Sequence, residues 1–255
     1  MLIAMVTFDT EENGRTAFTR ETLKSLFRTV DFSRHRLVVV DNGSIKATLD
    51  LLKSYCQYVQ PFTIIYNDKN IGTAKAINKA WRLREPGEHA VKMDNDCVIR
   101  QCEWADWMED AFNRESTLGI LGLKRRDLME NPFDGTSVLR MLPHIKGQRW
   151  ITIEEVAHVM GTCQGYSSNL LDKIGYLVQP GVYGFDDALS SLRSRLCHFA
   201  NAFLVGFEID HIDPGGSPHG KWKIAKANEA WDEFRHIAAE YEMGIRPIYE
   251  GNPYV

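Results

Sequence analysis

Four times in its first hundred residues the chain makes the same move. A short apolar run stops on a polar turn, and a stretch with helical spacing follows. The runs are "LIAMVTF" (2–8), "RLVVVDNGS" (36–44), "FTIIYN" (62–67) and "HAVKMDND" (89–96). Between them lie "TAFTRETLKSLFRTV" (16–30), "ATLDLLKSYCQYV" (47–59), which stops before Pro61, and "NIGTAKAINKAW" (70–81). Unbroken apolar runs suit strands covered on both faces. Their alternation with helices predicts an α/β fold with a parallel sheet and right-handed crossovers.

Past Asp96 the rhythm loosens. "EWADWMEDAFN" (103–113) reads as a helix and "LGILGLK" (118–124) as a strand. Residues 125–160 are ambiguous, with "SVLRML" and "RWITI" as short antiparallel strands. A Gly-rich stretch (160–177), an acidic turn into a helix (181–196), a strand (202–212) and an amphipathic helix (about 221–240) follow. The tail "MGIRPIYEGNPYV" reads as loosely packed. No linker interrupts the 255 residues, so the expectation is one domain, 1–255, with a nucleotide-binding half (1–100) and an acceptor-binding half (101–255).

Composition narrows the function classes. A net charge of −4 does not call for a polyanionic partner. The two basic stretches, 122–128 and 220–226, read first as solvated faces. Five irregularly spaced cysteines give neither a disulfide framework nor a zinc pattern, and read as free thiols of a reducing compartment. No apolar segment is long enough to span a bilayer, so a cytoplasmic protein is expected.

In an open parallel sheet, ligands gather at the carboxyl ends of the strands. Here those ends carry Thr7 and Asp9, then Asp41 to Ser44, then Asn67 to Gly72, then Asp94 and Asp96. Asp, Asn and Gly make turns in any protein; four such ends on one edge call for more. Strand alternation would put Lys92, Asp94 and Asp96 on one side, where Lys92 serves as a plain salt-bridge partner or as a cation beside a phosphate. Two closely spaced carboxylates suit Mg²⁺ or Mn²⁺, which one or two carboxylates hold together with substrate phosphates.

With these motifs in order over about residues 2–216, the chain resembles the nucleotide-sugar-dependent glycosyltransferases of the GT-A fold, especially glycosyltransferase family 2. "VTFDT" resembles the family's first strand and its nucleotide-contacting end, and "VVVDNGS" the Asp that contacts the base. "NIGTAKAINKAW" resembles its Asn-x-Gly helix start, with Asn70, Gly72 and Asn78. "DND" stands at the DxD motif, and the Gly-rich segment from Gly161 is similar to an acceptor-side element. "GFDDALSSLR" resembles the Glu-Asp-x-Asp motif, and "HIDPGGS" supplies His211 where the family has a late metal-ligating histidine. Asp186 replaces the usual Glu, and Leu189 stands where a second aspartate is often found.

The resemblance implies an inverting, Mn²⁺- or Mg²⁺-dependent transfer from a nucleoside-diphosphate sugar, a UDP-sugar in first place, to an acceptor hydroxyl. It places Asp96 and His211 on the metal, with Asp94 on the ribose or a water, and Thr7, Asp9, Asp41, Asn70, Gly72, Asn78 and Lys92 on the donor. Asp187 would be the catalytic base, with Asp186, Gly161 and Trp150 on the acceptor side. The other tryptophans, 81, 104, 107, 222 and 231, read as core packing. The expected acceptor is a glycan; a hydroxymethylated base in viral DNA is the alternative that the basic stretches allow. Two rivals remain. A nucleotidyltransferase would carry a Gly-rich, basic loop after strand one, where this chain has "DTEENGR". An inactive binding module has no use for Asp94, Asp96, Asp187 and His211 together.

Overall fold

The computed structural model describes residues 1–57, 62–128, 137–213 and 217–251. The expected parallel half is present. β1 (Leu2–Thr7), β2 (Arg36–Asp41), β3 (Phe62–Tyr66) and β4 (Ala90–Met93) pair in parallel in the order β3-β2-β1-β4. They are linked by α1 (Thr16–Thr29), α2 (Lys46–Cys56) and α3 (Thr73–Trp81). β1 is covered on both faces, as its unbroken run requires: Ile3 and Met5 join the cluster under α1, Leu2 and Ala4 the one under α3.

The sheet does not stop at β4. It continues through β9 (Cys163–Tyr166), β6 (Leu118–Arg125), β10 (Ala200–His211), β8 (Thr152–Glu155) and β7 (Val138–Met141), and short β5 (Cys97–Ile99) pairs antiparallel with the end of β10. β9 runs antiparallel between β4 and β6, so part of the Gly-rich stretch is a central strand rather than a loop. Glycine permits this: a Cβ on Gly165 would stand 2.2 Å from Met108 Sδ. The antiparallel element is therefore larger than expected, although "SVLRML" and "RWITI" do supply β7 and β8. Three helices complete the second half besides α4 (Trp104–Arg114): α5 (Ser168–Ile174), α6 (Asp186–Leu196) and α7 (Pro218–Glu242).

The tail corrects one expectation, since up to Glu250 it is docked. Glu250 exchanges backbone hydrogen bonds with Ile174 (2.9 Å) and Tyr176 (3.0 Å). Buried Arg193 donates to the carbonyls of Ile248 (2.7 Å) and Tyr176 (2.8 Å), and Tyr241 donates to Glu250 at 2.6 Å. Residues 252–255 lie outside the described residues.

Candidate active site

The carboxyl edge of the parallel strands is tied down before it is lined. Asp41 ends β2, and its carboxylate accepts from Thr7 Oγ1 at 2.9 Å and from the amides of Gly43 and Ser44 at 3.1 Å each. Asp9 accepts from Thr19 (2.7 Å), Thr48 (2.9 Å) and Asn95 (2.9 Å). Thr7, Asp9 and Asp41 are buried, and burial pushes Asp9 above the usual carboxylate range. Asn78 is spent on a two-way clamp to the backbone of Leu177, at 2.9 Å in both directions. In the structure these four residues carry these internal hydrogen bonds, and Asn42 and Asn70 line the cavity described below. Gly72 precedes α3 at φ +90°, where a side chain would be strained and a Cβ would stand 3.1 Å from Gln179 Oε1. That same oxygen accepts from the amide of Ala74, in the first turn of α3, at 3.1 Å.

The first acid pair follows β4. Asp96 is buried with three nitrogen groups on one oxygen, Oδ2: Arg15 at 2.6 Å, His211 at 3.3 Å and Lys223 at 3.5 Å. Although burial opposes it, the His211 hydrogen bond and the Arg15 and Lys223 charges hold Asp96 far below the carboxylate range. Asp94 goes the other way: burial, helped by the Asp96 charge, lifts it to about 6 against Lys92 and Lys223. Arg15 also donates to Asn95 (3.0 Å) and Asp213 (2.7 Å). Its nearest site partner lies some eighty residues away in sequence, which is why no local motif points to it.

The second acid pair opens α6. Asp186 turns inward, where Lys92 Nζ meets it at 2.8 Å. Asp187, partly exposed, accepts from the Gly161 amide at 3.0 Å, and His158 Nε2 stands 3.5 Å away. Burial would raise Asp187, but the His158 hydrogen bond and the Lys92 charge bring it down to about 2. Lys92 also donates to the Gly161 carbonyl at 3.0 Å. It is thus the salt-bridge partner foreseen, on Asp186 rather than on its strand neighbours. The approach is so close that a Cβ on Gly161 would stand 2.6 Å from Lys92 Nζ. Phe185, just before the pair, has φ +64°, a conformation costing a non-glycine residue about 1–3 kcal/mol. It is held by a stack on Phe234 of α7 at 4.4 Å between ring centroids.

Two cavities meet here. One, of about 70 Å³, lies against Phe8, Arg15, Asn70, Asp96 and Trp222. The other, of about 270 Å³, lies against Lys92, Gly161, Asp186, Asp187, Arg125 and His211. Trp222 is therefore a cavity wall, 6.2 Å from Phe8 between centroids, and Trp231 is about half exposed; neither serves as plain core. The two lie on opposite sides of α7, nine residues apart, and the sequence pattern of an amphipathic helix does not show that the first lines a cavity. Trp150 is not brought to either cavity: it is exposed and stacks on His144 at 3.9 Å. The basic stretch 124–126 is paired off, Lys124 with Glu154, Arg125 with Asp127 and Arg126 with Glu208.

The residues around Asp96 fit a divalent ion. Asp96 Oδ1 is buried with no hydrogen-bond partner, and His211 Nε2 converges on the same carboxylate. Among the described residues no group of three or more His, Cys, Asp or Glu side chains gathers. A two-ligand protein share is what Mg²⁺ and Mn²⁺ need when phosphates complete the shell.

The sequence profile of glycosyl transferase family 2 matches residues 4–175. No curated protein sequence matches the chain. Solved structures of similar fold include a mannosyltransferase from Pyrobaculum calidifontis in complex with GDP-Man and Mn²⁺, at TM-score 0.64 and 16% identity over 89% of this chain and 60% of that one. S. aureus TarS 1-349 in complex with UDP-GlcNAc gives 0.58 and 19%, over 85% and 60%. GalNAc-T7 with UDP, GalNAc and Mn²⁺ gives 0.61 and 14%, over 92% and 49%. The chain thus spans about half to three fifths of the length of these structures. No helix among the described residues is long and apolar enough to cross a membrane.

Proposed function

The chain belongs to glycosyl transferase family 2, and from that premise we propose that it transfers a sugar from a nucleoside-diphosphate sugar to an acceptor hydroxyl. One observation carries the reading: Asp94 and Asp187, the more exposed member of each acid pair, line one cavity of about 270 Å³. Its size suits a sugar, near the lower end of ordinary ligand cavities at about 300 Å³.

The roles follow from the surroundings. The nucleotide would enter on the Phe8, Asn42 and Asn70 side, with the diphosphate toward Asp94 and Asp96. Asp96 and His211 would hold a Mn²⁺ or Mg²⁺ ion, whose charge offsets what builds up on the leaving diphosphate. Asp187 would take the acceptor proton, a contribution of about 10²–10⁴-fold. It is ionised and keeps an exposed face, whereas Asp186 is committed to Lys92. A base working from the side opposite the diphosphate inverts the anomeric carbon. The solved structures that hold UDP, UDP-GlcNAc, GDP-Man and Mn²⁺ support this class of donor. The pairing of Lys124, Arg125 and Arg126 with carboxylates favours a glycan over a nucleic acid as acceptor.

The test is incubation with UDP- and GDP-sugars and Mn²⁺, with product analysis. Release of UDP or GDP, by hydrolysis or transfer, is expected. Formation of a nucleoside triphosphate from pyrophosphate would replace this reading with nucleotidyl transfer. Tighter binding of a nucleoside monophosphate than of UDP or GDP would remove the diphosphate from it.

A further inference from the structure

The two cavities share four residues: Thr73, Asp94, Tyr183 and Lys223. Only one of these four is a cation. Lys223 lies in the first two turns of α7, a segment whose sequence reads as a solvated basic face. Its Nζ sits 3.5 Å from Asp96 and 3.3 Å from Asp213. Those are long contacts beside the 2.6 Å and 2.7 Å by which Arg15 holds the same two carboxylates. A lysine ammonium has three N–H donors. Arg15 already neutralises both acids at short range, so Lys223 is not needed to satisfy them. It is also the more exposed of the two cations, with 19% of its side chain open against 3%.

Resting on the donor reading above, we propose that Lys223 binds the donor diphosphate at the junction of the two cavities and stabilises it as it leaves. A nucleotide lying against the Asn42 and Asn70 wall and a sugar in the larger cavity put their linking phosphates at the shared wall. Lys223 there would exchange two long carboxylate contacts for charge-assisted bonds to phosphate oxygens, the shorter and stronger kind. As the bond between the anomeric carbon and the phosphate oxygen breaks, the electron pair goes to the diphosphate, and the ammonium faces that growing charge without giving up its proton. α7 thereby becomes part of the donor site, which accounts for Trp222 against Phe8 and Phe234 against Phe185 on the same helix. Lys223 thus complements the ion at Asp96 rather than replacing it.

Calorimetry with UDP, GDP and UMP tests this on Lys223→Met and Lys223→Arg, each with Mn²⁺ and with EDTA. Lys223→Met should weaken the diphosphate that wild type prefers by 10-fold or more. The loss should be larger in EDTA than in Mn²⁺, and UMP should be weakened less. Lys223→Arg should recover most of the loss, and the melting temperature of Lys223→Met should stay within a few degrees of wild type. Equal losses for UMP and UDP, or a diphosphate affinity unchanged in EDTA, would overturn the proposal while leaving the donor reading intact. A wild-type chain that binds neither UDP nor GDP would overturn both.

Discussion

Two acid pairs face each other across the site, and they are built on opposite terms. Asp94 and Asp96 follow a strand with one residue between them. Asp96 is enclosed by Arg15, His211 and Lys223, brought from three distant parts of the chain. Asp186 and Asp187 are adjacent in the first turn of α6, so their side chains diverge. One is committed to Lys92, and the other keeps the amides of Gly161 and Ala188 and His158. The enclosed pair is suited to holding charge; the open one is suited to accepting a proton. Lys92 joins them, since it stands on the strand that carries the first pair and bonds the second.

The sharpest way to break this contrast is Asp96→Ala. Transfer should be lost, together with the Mn²⁺-dependent gain in nucleotide affinity, and the fold should weaken as well. Removing one partner of a buried ion pair costs about 3–5 kcal/mol, because Arg15 is left facing Asp213 alone. Denaturant titration beside a turnover assay reads both effects. A variant with wild-type turnover in EDTA would show that the enclosed pair holds no ion.

Next in size is the exchange of roles within the open pair. Asp187→Asn should lower kcat by about 10²-fold or more while donor affinity barely moves, because the amide cannot accept the proton. Asp186→Asn should lower turnover less and thermal stability more, since buried Lys92 loses its charged partner. If Asp186→Asn is dead and Asp187→Asn active, the base is the enclosed residue, and the contrast is drawn the wrong way round.

How much of this was legible follows from how far apart the partners are. The parallel strands and both acid pairs stand in local patterns, an apolar run with its turn or a helix start, and these survive without knowledge of the fold. Arg15 and Lys223 carry no such mark, because their partners lie on other elements. Thr7, Asp9 and Asp41 were placed rightly at the strand ends, whereas Asn78 lies well inside α3. Their bonds to one another, to α1, α2 and the turn after β2, and to Leu177 are revealed only by the packed structure. β9 was hidden because Gly165, which makes room for Met108, belongs to a Gly-rich stretch that reads in sequence as a loop.

A smaller effect probes the join between the pairs. Gly161→Ala puts a methyl 2.6 Å from Lys92 Nζ and 3.2 Å from Asp187 Oδ2. Overpacking of this kind costs about 1–3 kcal/mol. Turnover should fall by about 10-fold with donor affinity kept, as Asp187 is pushed off line. Unchanged kinetics would mean that Lys92 swings aside and that the two pairs are not mechanically joined.

pH separates the pairs more gently. The folded protein holds Asp187 at about 2 against an ordinary 3.8, so its ionised form is favoured by folding. That contribution is fully present above about pH 4 and is lost as pH falls through the folded value. The stability difference between wild type and Asp187→Asn should therefore be constant from pH 7 to 5 and shrink toward pH 2. A difference that instead grows with acid would mean that Asp187 folds protonated, which a base cannot do.

The smallest expected effect belongs to a residue outside both pairs. Trp150 stacks on His144 at the surface, and neither cavity reaches it. Surface substitutions of this kind fall within about 0.5 kcal/mol, so Trp150→Ala should leave stability, donor affinity and donor hydrolysis near wild type. Its use as a sugar platform for a long acceptor is a separate matter, readable only in transfer. If Trp150→Ala raises the KM for a glycan acceptor several-fold while donor hydrolysis is unchanged, the acceptor runs from Asp187 out to the β7–β8 edge. The open pair then owes its openness to a chain lying across it. If the KM holds, acceptor recognition is confined to the cavity between the two pairs, where Arg125 and Met160 form the outer wall.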